Sequence, residues 1–484
     1  MNDSSKSYRR ILKSTSITGG ATIINILISI IRTKIVAILL GPAGIGIIGL
    51  FQSFVSTATA FSGLGIATAA SREIAQENGR ENAHALAHTR QTLFFATILL
   101  GVIGGAIIWL LREEFASRVI GNIAESNNVG WLALAVSLSV ISASQMAIIQ
   151  GMRQITELAK LNVLSGLVSA VGGILIIWKF GDQGLAAFII VAPASSVLLG
   201  IYFAKRSSNL VQVDFRISKV FSKFGLMAKL GSALFIYALL EQVTFLLIRA
   251  NIGNTLGAVE LGNFQAGWTV AVMYLGVITG AMSSDFMPRI AGKTGDNESI
   301  NKLINQQTEI GILIATPVIV LMMGYAPFII SLMYSKDFTG SVELMRLLLL
   351  SDVLKLISWP IGIAILGMGD GAAFARQGPI QLILLFVGIY LMLPFMGLLS
   401  VGLTMLMTQS VGFIWGYRYI FLKTGYQLEK KLKKLVVVSA LVVIATYFIC
   451  SSSEVLGAII ATLFAISITI FSYKDIKLKL LNNG

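Results

Sequence analysis

Long apolar stretches alternate with short polar turns along the chain. "QTLFFATILLGVIGGAIIWLL" (91–111) and "WLALAVSLSVISASQMAIIQG" (131–151) carry no charged residue. Each is long enough, as a helix, to cross a hydrocarbon layer roughly 30 Å thick. Read throughout, the pattern predicts about fourteen transmembrane helices: 16–40, 45–70, 91–111, 131–151, 160–179, 184–204, 227–250, 259–285, 306–334, 342–367, 379–397, 400–422, 435–450 and 455–473. The eleventh and twelfth meet at a hinge, "LPFMGLLSVG". The expected fold is all-α and polytopic.

The pattern repeats at a lag of about 216 residues. Arg32 returns as Arg249, and "SREIA" (71–75) as "PRIAG" (288–292). "GMRQITELAK" (151–160) returns as "GMGDGAAFAR" (367–376). "GLFQ" (49–52) returns as "GNFQ" (262–265) at the shorter lag of 213, which sets Gln52 against Gln265. Six helices per repeat keep the same membrane orientation, giving parallel repeats about an axis along the membrane normal. The expected organisation is an N-terminal lobe over 1–204, a basic linker over 205–226, a C-terminal lobe over 227–425, and an extra helix pair with a tail over 426–484. Substrate sites in such duplicated folds sit near the midplane, at the repeat interface.

Composition places the chain in a membrane: 55% of its 484 residues are hydrophobic and 12% charged, about half the charge of a soluble domain. With the N-terminus in the cytoplasm, 28 of the 37 Lys and Arg fall on the cytoplasmic side. Arg112, Arg118, Lys179, Lys336 and Arg346 fall outside. Cytoplasmic excess of Lys and Arg is the orientation rule, so both termini are expected in the cytoplasm. The net charge of +14 then belongs to contact with anionic lipid. No basic stretch carries interleaved aromatics, so no nucleic-acid partner is expected. The basic N-terminus leads into a segment too long for a signal core and reads as a retained first helix.

Little points to enzyme chemistry. Cys450 is the sole cysteine and can form neither an internal disulfide nor a Cys-based cluster. His84 and His88 share a helix face with Glu81, but the glutamate that would follow the first histidine of a zinc-hydrolase helix is missing. The trio reads as a solvated face. No cofactor or metal is expected, and no nucleophile–histidine pair or paired-carboxylate site occurs on a loop. The longest outer loop, "REEFASRVIGNIAESNNVG", carries no recognisable site.

Four cations fit neither the cytoplasmic nor the outer set, Arg32, Lys34, Arg249 and Lys355, and the acids Glu241, Asp285 and Asp352 fall within spans. A charge at the bilayer centre costs at least about 2.5–3.5 kcal/mol, so it usually faces a watery cavity or a partner. Asn25 lies seven residues before Arg32, on nearly the same face. Lys34 lies about 200° around the helix from Arg32 and can snorkel to the outer interface. Arg32 is therefore favoured for the cleft. Glu241 and Arg249 are about 80° apart on one helix. A desolvated Glu241 offers a route to proton coupling. Asp352 and Lys355 are spaced to pair, and Pro360 can kink their helix. Gln52 and Gln265 can hydrogen-bond sugar hydroxyls or tie two helices together. Cations lining a polar cleft suit an anionic cargo, and arginine suits phosphate through forked hydrogen bonds.

"LLGPAGIGIIGLFQSF" (39–54), "GLGIATAASREIAQ" (63–76) and "IIQGMRQITELAKLNVLSG" (148–166) resemble segments of the bacterial O-antigen translocases, the Wzx-type flippases. Their superfamily also holds MATE drug antiporters and the lipid II flippases. The resemblance implies two six-helix lobes and movement of an undecaprenyl-diphosphate-linked oligosaccharide from the cytoplasmic to the outer leaflet of the bacterial inner membrane. It also implies proton-driven exchange and cationic lumen residues, for which Arg32 and Arg249 are the positional candidates. Membrane lipids, a polysaccharide polymerase and a chain-length regulator are the expected partners of a protein working as a monomer. The last two helices depart from twelve-helix members and are shared with lipid II flippases, which keeps a lipid II cargo open. A cation-coupled drug exporter would favour acids and aromatics over arginines in the N-terminal lobe, which has no mid-span acid. A membrane-embedded polymerase or ligase would need a substantial outer loop for catalysis.

Overall fold

The structure, a computed structural model, describes residues 3–80, 83–206 and 232–482. Among these, twelve helical stretches are long and apolar enough to cross a membrane. Two of them, Ile17–Gly63 and Ile155–Lys205, are double length. The first is broken at Gly41 and the second by the short turn Gly181–Gly184, so fourteen membrane-length helices result.

α1 (Asp3–Gly63) bends where Gly41 takes φ 64° and ψ −169°. Such a backbone suits a residue with no Cβ, and Pro42 opens the second arm where its missing N–H costs nothing. The helix expected over 45–70 ends sooner, at Gly63. Gly65, at φ 67°, then starts α2 (Ile66–Gly79), so a left-handed turn divides that segment. α3 (Ala83–Leu110), α4 (Ser126–Gly151), α5 (Ile155–Phe180), α6 (Leu185–Arg206) and α7 (Ser232–Leu256) follow. Next come α8 (Ala258–Ala291), α9 (Asn297–Gly324), the short α10 (Ala326–Met333), α11 (Gly340–Gly367), α12 (Gly371–Met396) and α13 (Leu399–Thr424). α14 (Lys430–Ser452) and α15 (Glu454–Asn482) complete the chain. The expected hinge is present: Gly397, at φ 56°, separates α12 from α13. α11 runs through Pro360 without a break.

The chain forms two compact units, Met1–Ala258 and Val259–Gly484. In the first, α4 packs between α3 and α6, while α1 packs on α5 and α7. The helix over 232–256, which the repeat assigns to the second lobe, therefore belongs to the first unit by packing. In the second, α11 lies against α13 and α9, and α9 carries both α14 and α15. Most of the basic linker falls in 207–231, outside the described residues.

Lipid tails are as apolar as leucine, so small residues and hydrogen bonds, not water exclusion, bring such helices together. "GVIGG" shows this. A methyl group at Gly101 would sit 2.9 Å from the Ser137 carbonyl of α4, and the Ser137 hydroxyl donates to the Gly101 carbonyl at 2.8 Å. Large side chains such as Leu110 and Phe395 remain exposed where acyl chains would cover them.

Turn geometry establishes the duplication more firmly than residue identity does. Gly41 and Gly257 have φ 64° and 90°, Arg153 and Gly369 have 56° and 81°, and Gly181 and Gly397 have 53° and 56°. Every pair is 216 residues apart. α5 and α12, which follow the middle pair, both have 26 residues.

Candidate functional site

Arg32 and Arg249 both lie in the first compact unit. Arg32 precedes the turn at Gly41 by nine residues and Arg249 precedes that at Gly257 by eight. Each therefore sits about 12–13 Å along its helix from its own turn. The one-residue difference rotates the two side chains about 100° apart on equivalent helices.

Arg32 is half-buried, and its guanidinium carbon lies 5.5 Å from the Phe188 ring centroid on α6. Among the described residues it makes no ion pair. Asn25, expected to extend a polar stripe beside Arg32, turns to α5: a Cβ on Gly166 would come within 2.7 Å of its Oδ1. Lys34 is half-buried on the same arm of α1.

On α7, Arg249 donates to the Phe245 carbonyl at 3.3 Å and rests over the Phe245 ring at 5.9 Å. The Thr57 hydroxyl of α1 donates to the Gln242 carbonyl at 3.2 Å. Arg249, seven residues beyond Gln242, lies on nearly that same face. Glu241 is half-buried one turn from Tyr237. Gln52 is exposed, whereas half-buried Gln265 donates to the Thr269 hydroxyl at 3.1 Å. The lag of 216 fixed by the turns sets Gln52 against Trp268, because an unbroken helix cannot absorb three residues. The equivalence of Gln52 and Gln265 is thus not kept.

In the second unit Asp352, 5% exposed, accepts a 2.5 Å hydrogen bond from the Tyr274 hydroxyl of α8. Lys355, expected to pair with it, is half-buried and makes no ion pair among the described residues. Sequence spacing identifies neighbours on one helix and is silent about a tyrosine 78 residues away, so it gives no sign of Tyr274. The side chain of Asp285 and all of Glu81 lie outside the described residues.

Two further polar clusters depart from the sequence reading. Arg346, expected at the outer surface, is 4% exposed. Its Nε donates to the Met323 carbonyl at 3.2 Å, and its Nη1 lies 3.7 Å from Glu343, which accepts a 2.5 Å hydrogen bond from Tyr447 of α14. At the other end of the unit, Asp370 caps α12 through the Ala373 N–H. It also accepts from Tyr419 and, at 2.5 Å, from Lys423 of α13. These donors hold the Asp370 carboxyl well below the usual range, the Lys423 hydrogen bond contributing most. Nearby, Arg289, Lys293 and Lys302 line a basic recess of about 290 Å³ at the α8–α9 turn.

Fourteen membrane-length helices, a duplicated backbone plan and cations placed inside spans define a polytopic, internally duplicated membrane protein. Solved structures share the architecture. The lipid II flippase MurJ, in an inward closed conformation, superposes with a TM-score of 0.73 over 95% of this chain and 99% of its own, at 12% identity. An inward-facing MATE multidrug transporter of the MOP superfamily gives 0.64 over 85% of this chain and 95% of its own, at 17% identity. Residues 35–343 match the family described as polysaccharide biosynthesis protein, and the chain belongs to that family. The lipid III flippase of Escherichia coli is 22% identical over 83% of this chain and 96% of its own. The probable low-salt glycan biosynthesis flippase Agl15 of Haloferax volcanii is 21% identical over 74% of this chain and 72% of its own. These relatives are flippases and transporters.

Proposed function

We propose that the protein is a flippase that carries an undecaprenyl-diphosphate-linked oligosaccharide from the cytoplasmic to the outer leaflet by alternating access, coupled to protons through Glu241. The carrying observation is Arg32: a guanidinium set about 13 Å in from the Gly41 turn, with an aromatic face as its contact and no ion pair among the described residues. Such an arginine in a membrane span is costly. A diphosphate would complete it through two parallel charge-assisted hydrogen bonds. The O-antigen class of cargo accords with the lipid III and glycan flippases among the relatives.

A lipid II cargo is the second reading. It is favoured by the fold match to MurJ, which covers 95% of this chain. The proposed arrangement places both termini in the cytoplasm and makes Arg249 the companion of Arg32 at similar depth.

The test is genetic and biochemical together. Arg32→Ala and Arg249→Ala should each abolish surface polysaccharide while membrane levels of the protein stay normal. Normal polysaccharide in both variants would mean that the arginines serve only the structure. Proteoliposomes loaded with fluorescent lipid-linked oligosaccharide, compared with fluorescent lipid II, separate the two cargoes.

A further inference from the structure

A groove of about 740 Å³ lies between the start of α12 and the last part of α13, entirely within the second unit. One wall is Trp415 and Tyr419, stacked with centroids 5.3 Å apart and planes 9° from parallel. The opposite wall is kept low by Ala372 and Ala375 and carries Arg376, Pro379 and Ile380. Asp370 at the groove's end is already engaged by Tyr419, Lys423 and the Ala373 N–H, so its charge is answered by Lys423. Arg376 is exposed and makes no hydrogen bond or ion pair among the described residues. Its charge is the one the groove leaves unanswered.

Depth orders these features. α12 has 26 residues, about 39 Å, against a hydrocarbon layer of roughly 30 Å. Its first turn therefore stands among headgroups. Arg376, five residues after Gly371, sits about 7.5 Å along the axis, and Ile380 about 6 Å further in. Along one line the groove offers a cation at the interface, the Trp415–Tyr419 stack beside it, and the apolar side chains of Pro379 and Ile380 at its inner end. This sequence of chemistries matches an amphiphile with a phosphorylated head and a long hydrocarbon tail. A guanidinium binds phosphate oxygens in a fork, aromatic faces at the interface accept the C–H faces of a sugar ring, and the tail follows the apolar wall.

We propose that this groove docks the head of a diphosphate-linked glycolipid, with phosphate on Arg376, the first sugar on Trp415 and the prenyl chain along Pro379 and Ile380. The proposal rests on the flippase reading and adds a docking station outside the translocation path, used before or after crossing.

Native mass spectrometry of the full-length protein in detergent tests it with four probes: undecaprenyl-diphosphate disaccharide, undecaprenyl diphosphate, phosphatidylglycerol and inorganic pyrophosphate. Arg376→Gln should lower retention of both diphosphate lipids about tenfold, the effect of losing one charge-assisted hydrogen bond. Trp415→Leu should lower retention of the glycosylated lipid only. Retention of phosphatidylglycerol should not change in either variant, and pyrophosphate alone should not be retained. Arg376→Lys should recover part of the binding. The proposal is overturned if Arg376→Gln leaves both diphosphate lipids bound as in the wild type. An equal loss of phosphatidylglycerol also overturns it, by marking a general anionic-lipid site, and so does retention of pyrophosphate through Arg376. Because Arg376 is exposed and bonds to none of the described residues, Arg376→Gln should elute and melt as the wild type does. Arg32→Gln, run in parallel, distinguishes the two failures: lost transport in Arg32→Gln with unaltered binding in Arg376→Gln removes the docking groove and leaves the flippase reading intact.

Discussion

Replacing Arg32 with leucine should raise stability and abolish transport, two effects that a merely structural arginine cannot produce together. An arginine at this depth costs at least about 2.5–3.5 kcal/mol, whereas leucine is slightly favourable there. The Phe188 ring, 5.5 Å from the guanidinium carbon, returns about 0.5–2 kcal/mol of that cost. With no described carboxylate left behind, the substitution should relieve about 0.5–3 kcal/mol net. Transport should move the other way. Hydrogen bonds to a charged group contribute about 1.5–3 kcal/mol, so losing the phosphate contact should weaken cargo capture about 10- to 150-fold. Thermal unfolding in detergent reads the first quantity as a melting temperature higher by a few degrees. Initial flipping rates at subsaturating cargo in proteoliposomes read the second, with Arg32→Lys as the charge-retaining control. A variant that melts lower and flips slowly would show that Arg32 holds the bundle together. One that flips at the wild-type rate would remove Arg32 from the cargo path.

Glu241→Gln should make flipping insensitive to an imposed pH gradient while leaving gradient-free exchange in place; retained gradient dependence would dismiss Glu241 as the coupling acid. Gly397→Ala should destabilise the protein by about 1–3 kcal/mol from backbone strain alone, since φ is 56°, ψ is −143° and no described residue beyond its chain neighbours lies within 4 Å of the added carbon. Gly181→Ala should cost the same, and unfolding midpoints that match the wild type would contradict the assigned turn. Tyr274→Phe should cost about 1–3 kcal/mol by leaving the Asp352 carboxylate buried without its donor. Thermal melts of Tyr274→Phe, Asp352→Asn and the double variant should be non-additive, and additive melts would separate the two groups.

Hydrophobic runs made the helices legible, because in lipid each span must satisfy its own backbone and so needs about twenty apolar residues whatever its neighbours. The places where turns divide long runs were harder to read. Gly63–Gly65 interrupts the segment expected over 45–70 because left-handed conformations there end one helix and begin another, and glycines are too common in this chain to mark which of them turn. Partners across helices were not legible at all. Asp352 has a lysine at pairing distance in sequence yet bonds to Tyr274. Arg346 reads as a surface cation because it sits near a span end, yet it is drawn inward by the Met323 carbonyl and by Glu343, which Tyr447 of the extra helix pair also holds. Such choices depend on which helices meet, and no local pattern encodes that.

The duplication explains why residue matching succeeded only in part. Turn positions are constrained by backbone geometry, so the pairs at 41 and 257, 153 and 369, and 181 and 397 stay in register. Between the turns nothing compels side chains to match, because a lipid-facing or lumen-facing position need not serve the same purpose in both halves. Arg153 holds a left-handed conformation that glycine holds in the second repeat. Gln52 has Trp268 for its counterpart, and Arg32 and Arg249 are offset by one residue. By packing, α7 has joined the first unit, which gathers both arginines there, while the second unit has the buried Asp352–Tyr274 pair and the groove at Arg376. One backbone plan thus carries two chemistries. The proposed cargo is itself asymmetric, phosphates at one end and sugars at the other, and halves with different chemistries offer each end a different lining.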